Sequence, residues 1–236
     1  MTDIIPAIMP DSYDDLVSKA SRVKGLVPIA QIDIMDGVFV ASKSWPYTEG
    51  GVAREPHFVA MSHQDEGLPF WDEIDFEIDL MIAEPEKHIE EWYPLGASRL
   101  IVHIEAIKDR DAFFSNPMLE RSSREIGGEL AVAIGLAIDT ATPLSEIEPY
   151  LEKVDFVQCM GIAKIGYQKQ PFDERVLTHI ERLRAAYPEL IISIDGGVNV
   201  STAPILVRSG ANRLVAGSAI FGAPDAAEAI RTLASA

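Results

Sequence analysis

At 236 residues, with 47% hydrophobic and 24% charged side chains, the chain has the composition of a globular protein with a sizeable core, which excludes disorder and low-complexity repeats. Its 37 Asp and Glu against 20 Lys and Arg give a net charge of −17, which repels nucleic acid and anionic membrane surfaces at long range. The single Cys159 excludes an internal disulfide and a thiolate zinc site; the first residues have no signal-peptide pattern, and no apolar run approaches the ~18 residues of a membrane span, so a cytoplasmic protein is expected.

Short, β-branched apolar runs alternate with helix-period stretches along the chain. The runs fall at residues 4–8, 27–34, 74–82, 99–104, 130–138, 155–159, 190–194 and 213–216. Helices are predicted at 12–23, 84–92, 144–151, 173–186 and 224–233, with Asp11 as a cap for the first and Pro85 in the first turn of the second. Eight strands in this length predict an α/β fold, a (β/α)8 TIM barrel forming one domain over residues 1–236, better than they predict an open sheet. Residues 41–71, rich in Gly, Pro, Trp and His, are the least regular segment. They read either as a functional loop at the catalytic mouth or as an insertion without function.

Acid is concentrated between residues 65 and 91, where eleven Asp or Glu face one Lys for a net −10, most of it expected on a solvated surface. The strand within this region alternates strictly. Ile74, Phe76, Ile78, Leu80 and Ile82 should face the surrounding helices, which puts Asp75, Glu77, Asp79 and Met81 in the barrel interior. The same period in the second strand groups Gln31, Asp33 and Met35 on the inner face. In the seventh strand, Asp195 stands at the C-terminal end before Gly196 and Gly197, where a barrel carries its catalytic groups.

Asp33, Asp79 and Asp195 should therefore converge at one mouth. Carboxylates that close raise one another's pKa, which favours a bound cation or a shared proton. With the Gln31 amide oxygen they make four oxygen donors, a set suited to Mg²⁺ or Mn²⁺ rather than Zn²⁺. The alternative, equally open from spacing, is that the aspartates accept hydrogen bonds from neighbouring loops. Glycine turns follow the last two strands, at Gly196 and Gly197 and at Gly217-Ser218, where backbone N–H groups can approach a phosphate closely.

These residues carry a resemblance. The chain resembles the ribulose-phosphate 3-epimerase family, a set of ribulose-phosphate-binding barrels, through Pro6-Ala7-Ile8-Met9, Asp33-Ile34-Met35-Asp36-Gly37, Asp79-Leu80-Met81-Ile82, Val102-His103-Ile104-Glu105-Ala106 and Ala141-Thr142-Pro143-Leu144. The most specific matches are Asp195-Gly196-Gly197-Val198-Asn199 and Val215-Ala216-Gly217-Ser218-Ala219-Ile220-Phe221-Gly222. The resemblance implies a metal-assisted 1,1-proton transfer at C3 of a ketose phosphate, D-ribulose 5-phosphate to D-xylulose 5-phosphate or a similar pair, in carbohydrate metabolism. It implies Asp33 and Asp195 as the acid/base pair, Gln31, Asp33, Asp79 and Asp195 at the metal positions, and Met35, Met81, Met160, Gly166, Gly196, Gly197, Gly217 and Ser218 around the phosphorylated sugar. It also implies a homo-oligomer, and the net charge of −17 argues against a nucleic-acid or membrane partner.

The departures from the family pattern are local. Gln31 and Asp79 stand where the family has its two metal-binding histidines, which implies a hard divalent ion or none; Ala7 replaces a serine; and the loop after the sixth strand carries Lys164 in place of glycines, a cation that either meets the phosphate or holds nothing. His103 is expected to support or pack rather than to act as acid or base. Two other readings stay open: another phosphosugar isomerase or lyase on the same barrel, and a non-catalytic phosphosugar-binding descendant without metal.

Overall fold

The computed structural model describes residues 2–116, 119 and 132–236. Strands β1 (Asp3–Ile8), β2 (Ile29–Met35), β3 (Asp75–Met81), β4 (Arg99–His103), β5 (Ala133–Ile138), β6 (Phe156–Met160), β7 (Ile191–Asp195) and β8 (Arg213–Ala216) pair in chain order, all parallel, and β8 closes on β1. This is the expected (β/α)8 barrel; residues 130 and 131 of the fifth predicted strand lie outside the described residues. Among the described residues the helices are α1 (Tyr13–Ser21), α2 (Pro56–Ser62), α3 (Arg110–Phe114), α4 (Arg175–Ala186), α5 (Ala203–Ser209), α6 (Ser218–Phe221) and α7 (Ala226–Ala234), and none is long and apolar enough to cross a membrane.

Two predicted helices are instead strings of 3-10 turns. Residues 84–92 divide at His88, whose φ of −124° separates Pro85–Lys87 from Ile89–Glu91. Residues 144–151 divide into Leu144–Glu146 and Glu148–Lys153, where Pro149 removes the N–H that an α-helix would need at that point. The cap of α1 also shifts by one residue. Ser12 Oγ accepts from the Asp15 N–H at 3.2 Å, whereas Asp11 only donates its backbone N–H to the Asp15 carboxylate.

The period-two reading of the strands holds. Ile32, Ile34, Phe76, Ile78, Leu80 and Ile82 join the main apolar core beneath the helices, while Gln31, Asp33, Glu77, Asp79 and Met81 are buried on the opposite face. Asp75 is the exception and is exposed, because it begins β3 at the solvent-facing bottom of the barrel. Its neighbour inward, Glu77, forms a close ion pair with the Arg213 guanidinium and a second with Arg99 at 3.4 Å. Arg213 also lies over the Phe156 ring, 4.6 Å from its centroid, and Gly135 leaves the room that this ring fills.

None of residues 41–71 lines the cavity at the mouth of the barrel. Trp45, Phe58, Met61 and Leu68 pack into the main core, and α2 becomes part of the outer wall, because four large apolar side chains are more stable there than over a wet opening. The segment still supports β2. Ser44 Oγ accepts from the Met35 N–H and donates to the Asp33 carbonyl, both at 2.8 Å, which holds the C-terminal end of the strand from outside.

Arg213→Met should lower unfolding stability by about 3–5 kcal/mol in chemical denaturation, because Glu77 keeps only the longer pair with Arg99; Arg213→Met combined with Glu77→Met should recover most of the loss. Cys159 is fully buried and its thiol is pushed up to about 12 by that burial. The native protein at about pH 8 should therefore resist a thiol-specific disulfide reagent and react at this one position only after unfolding.

Candidate functional site

The site follows from register. β2 pairs with β3 so that Asp33 lies beside Asp79, and β6 pairs with β7 so that Met160 lies beside Asp195. Each aspartate points into the barrel, and one carboxylate oxygen from each of Asp33, Asp79 and Asp195 comes within 4.8 Å of the others. Three negative groups at that spacing, out of water, repel strongly.

Nitrogen donors offset the repulsion. Gln31 Nε2 donates to Asp33 Oδ1 and to Asp195 Oδ2, both at 2.8 Å. Gln158 Nε2 donates to Asp79 Oδ2 at 3.1 Å and to Asp195 Oδ2 at 3.4 Å, and His103 Nε2 lies 3.1 Å from Asp79 Oδ1. Burial, followed by the charges of Asp195 and Asp79, still holds the Asp33 carboxyl well above the usual carboxylate range. Burial and then Asp79 push Asp195 up to about 7. Burial by itself would lower the His103 imidazole, but the facing carboxylates of Asp79, Glu105 and Asp139 outweigh it and raise the ring to about 9.

A cavity of about 450 Å³ opens above this floor. Asp33, Asp195, Met81, Met160, Gly166, Gly196, Gly197, Gly217 and Ser218 all line it. The other three predicted residues do not line it. Gln31, Asp79 and Met35 are fully buried, Met35 in an apolar cluster with Met81 and Val40. The glycine turns are required by the backbone: Gly196 and Gly197 have φ of +94° and +69°, and a Cβ on Gly217 would crowd the Ala7 carbonyl oxygen.

One placement differs from expectation, and another bears on an alternative the sequence left open. The Gln31 amide turns its nitrogen, not its oxygen, towards the carboxylates, because two anionic oxygens attract an N–H donor. Lys164 leaves the cavity and sits over the Tyr167 ring at 4.3 Å, while Lys169, which sequence reasoning did not single out, lines the cavity beside Gln168. The positive φ of 58° at Lys169 belongs to a tertiary loop conformation with no signature in the sequence. Gln158 was legible and missed: it lies two residues before Met160 on the inward face of β6.

The donor set fits a divalent cation. Three carboxylates converge, and the Gln31 and Gln158 amide oxygens, both buried and without a hydrogen-bond partner among the described residues, would join them once the amides turn. Such an all-oxygen set suits a hard ion, and turning the Gln31 amide about its last bond would present the oxygen. In protein stripped of metal, Gln31→Leu should lower stability by about 3 kcal/mol, because two buried carboxylates lose their shared donor; denaturation in chelator, compared with wild type, reads this directly.

Residues 3–221 match the model of the ribulose-phosphate 3 epimerase family. The chain is 32% identical over 236 residues to the ribulose-phosphate 3-epimerase of Bacillus subtilis, covering 98% of this chain and 97% of that protein. It is 33% identical to the chloroplastic ribulose-5-phosphate-3-epimerase of Arabidopsis thaliana, over 98% of this chain and 76% of that one. In fold alone it is similar to a 3-hexulose-6-phosphate synthase, with a TM-score of 0.63 at 18% identity over 100% and 99% of the two chains. The 3-keto-L-gulonate-6-phosphate decarboxylase of Vibrio cholerae superposes with a TM-score of 0.64 at 17% identity over 100% and 99%. With a family match across nearly the whole chain, and with Asp33, Asp195 and the glycine turns brought to one cavity, the chain belongs to the ribulose-phosphate 3-epimerase family of carbohydrate isomerases.

Proposed function

We propose that the protein interconverts D-ribulose 5-phosphate and D-xylulose 5-phosphate, or a closely similar pair of ketose phosphates, by moving a proton off and back onto C3. The observation that carries this reading is the pair Asp33 and Asp195, which reach one cavity from β2 and β7 and share the Gln31 amide. Epimerisation at C3 needs one group to take the proton from one face and another to deliver it to the opposite face. Burial first, and then the charges of Asp195 and Asp79 on Asp33 and of Asp79 on Asp195, raise both carboxyls above the usual carboxylate range, which suits one to accept a proton while the other carries one.

The remaining residues orient and protect the sugar. Gly166, Gly196, Gly197, Gly217 and Ser218 offer backbone to the cavity for the phosphate, and Lys169, which also lines it, would bring a positive charge in an otherwise acidic protein. Met81 and Met160 cover the reacting end with apolar surface, and Met35 packs beside Met81 on the neighbouring strand, which keeps water from the carbanionic intermediate. Asp33, Asp79 and Asp195, with the Gln31 amide oxygen, would hold a divalent cation, Mg²⁺ or Mn²⁺. When bound, that ion would supply positive charge against the negative charge that develops on the sugar oxygens. Composition and the lone Cys159 support a cytoplasmic enzyme built on a single domain over residues 1–236.

Incubation with ribulose 5-phosphate in heavy water should put deuterium into C3 when Mg²⁺ or Mn²⁺ is present. Asp33→Asn and Asp195→Asn should each slow exchange by about 10²–10⁴-fold while leaving the fold intact by circular dichroism. Wild-type protein that exchanges nothing at C3 with any divalent metal added is not an epimerase of this substrate.

A further inference from the structure

The His103 ring has two sides, and the site above uses only one. Nε2 faces Asp79, a carboxylate of the catalytic floor. With Nε2 so engaged, Nδ1 is the ring nitrogen left over, and it has no hydrogen-bond partner among the described residues although His103 is fully buried. A buried polar atom without a partner is uncommon and unfavourable.

Two more such atoms belong to the same place. His103 ends β4, Glu105 follows it by two residues, and Asp139 follows the end of β5 beside it. One ligand atom from each of His103, Glu105 and Asp139 lies within 4.8 Å of the others. Glu105 Oε2 and Asp139 Oδ1 are both buried and both unpartnered among the described residues. The cluster is also held in shape. Glu105 Oε1 accepts the Asp139 backbone N–H at 2.9 Å, which ties the two loops together and leaves the other carboxylate oxygen free to turn to a ligand.

We propose that His103, Glu105 and Asp139 form a second divalent-cation site, separate from Asp33, Asp79 and Asp195. Its ligands are one imidazole nitrogen and two carboxylate oxygens, a mixed set that suits a zinc- or manganese-class ion, in contrast to the all-oxygen set next door. The connection to Asp79 supports this assignment. A histidine that binds metal through one ring nitrogen commonly donates its other N–H to a carboxylate, which fixes the tautomer, and Asp79 stands where that carboxylate is needed. An ion held by Nδ1 would therefore orient Asp79 through the ring.

The test is a count and a position, neither of which depends on turnover. Manganese titrated into chelator-stripped protein and followed by electron paramagnetic resonance should saturate at two ions per chain. Crystals grown with Mn²⁺ should show one anomalous peak among Asp33, Asp79 and Asp195 and a second in bonding contact with His103, Glu105 and Asp139. Glu105→Gln and Asp139→Asn should each bring the count from two to one, erasing the second peak and keeping the first. Circular dichroism reports whether each variant folds, and if one does not, the other and the wild-type map decide.

A wild-type map blank at His103 overturns the proposal, as does a count that neither variant changes; the ring would then serve only as a cationic link from Asp79 to Glu105 and Asp139. Failure of the epimerase reading would look different, since C3 exchange would be lost while the Mn²⁺ map stayed readable.

Discussion

Like charges brought together away from water set the main constraint on this barrel. Asp33, Asp79 and Asp195 bring their carboxylate oxygens within 4.8 Å of one another, and the polar interior is arranged around that repulsion. Gln31, Gln158 and His103 come from three strands and contribute donors to the three carboxylates; none of these donors is exposed. Burial, together with the charge the donors do not offset, raises the Asp33 and Asp195 carboxyls, and a carboxyl that holds its proton near neutrality is the group that proton transfer needs. Stability and chemistry are thus coupled at one level of the barrel.

The levels above and below divide the remaining work. Beneath the carboxylates, Glu77 is paired with Arg213, and Arg213 rests on Phe156, so the lower interior closes with its charges compensated. Above them, the glycine turns after β7 and β8 leave backbone bare at the cavity rim, and the methionines supply apolar cover. The outer wall includes α2, whose segment anchors β2 through Ser44. A segment with the composition of an irregular loop therefore acts on the site indirectly, by fixing the strand that carries Asp33.

Much of this was legible in the residues. Strict alternation in residues 74–82 separated the helix-facing isoleucines from Glu77 and Asp79, since successive side chains of a strand point to opposite faces. The same rule put Gln31 and Asp33 inside, and Asp195 before two glycines marked a strand end that faces the mouth. The rule weakened at the margins. Asp75 shares the inward parity of Glu77 but begins its strand, where the barrel is open to water. Helix-period residues at 84–92 and 144–151 gave 3-10 turns, because a break at His88 and the missing N–H of Pro149 interrupt the α pattern that apolar spacing by itself implies.

By itself, the sequence determined which residues line the barrel, which turns carry glycine, and which family the chain resembles, because these depend on periods and motifs a few residues long. Tertiary structure decided how those side chains meet. Glu77 finds Arg213 across 136 positions of chain, Gln31 turns its nitrogen rather than its oxygen inward, Lys169 rather than Lys164 lines the cavity, and His103 meets Asp79 through Nε2 and comes together with Glu105 and Asp139. Strand periodicity fixes a face, but it does not fix a torsion or a distance. Those follow from closing eight strands into one ring, where each buried polar group settles against whichever partners the other strands bring within reach.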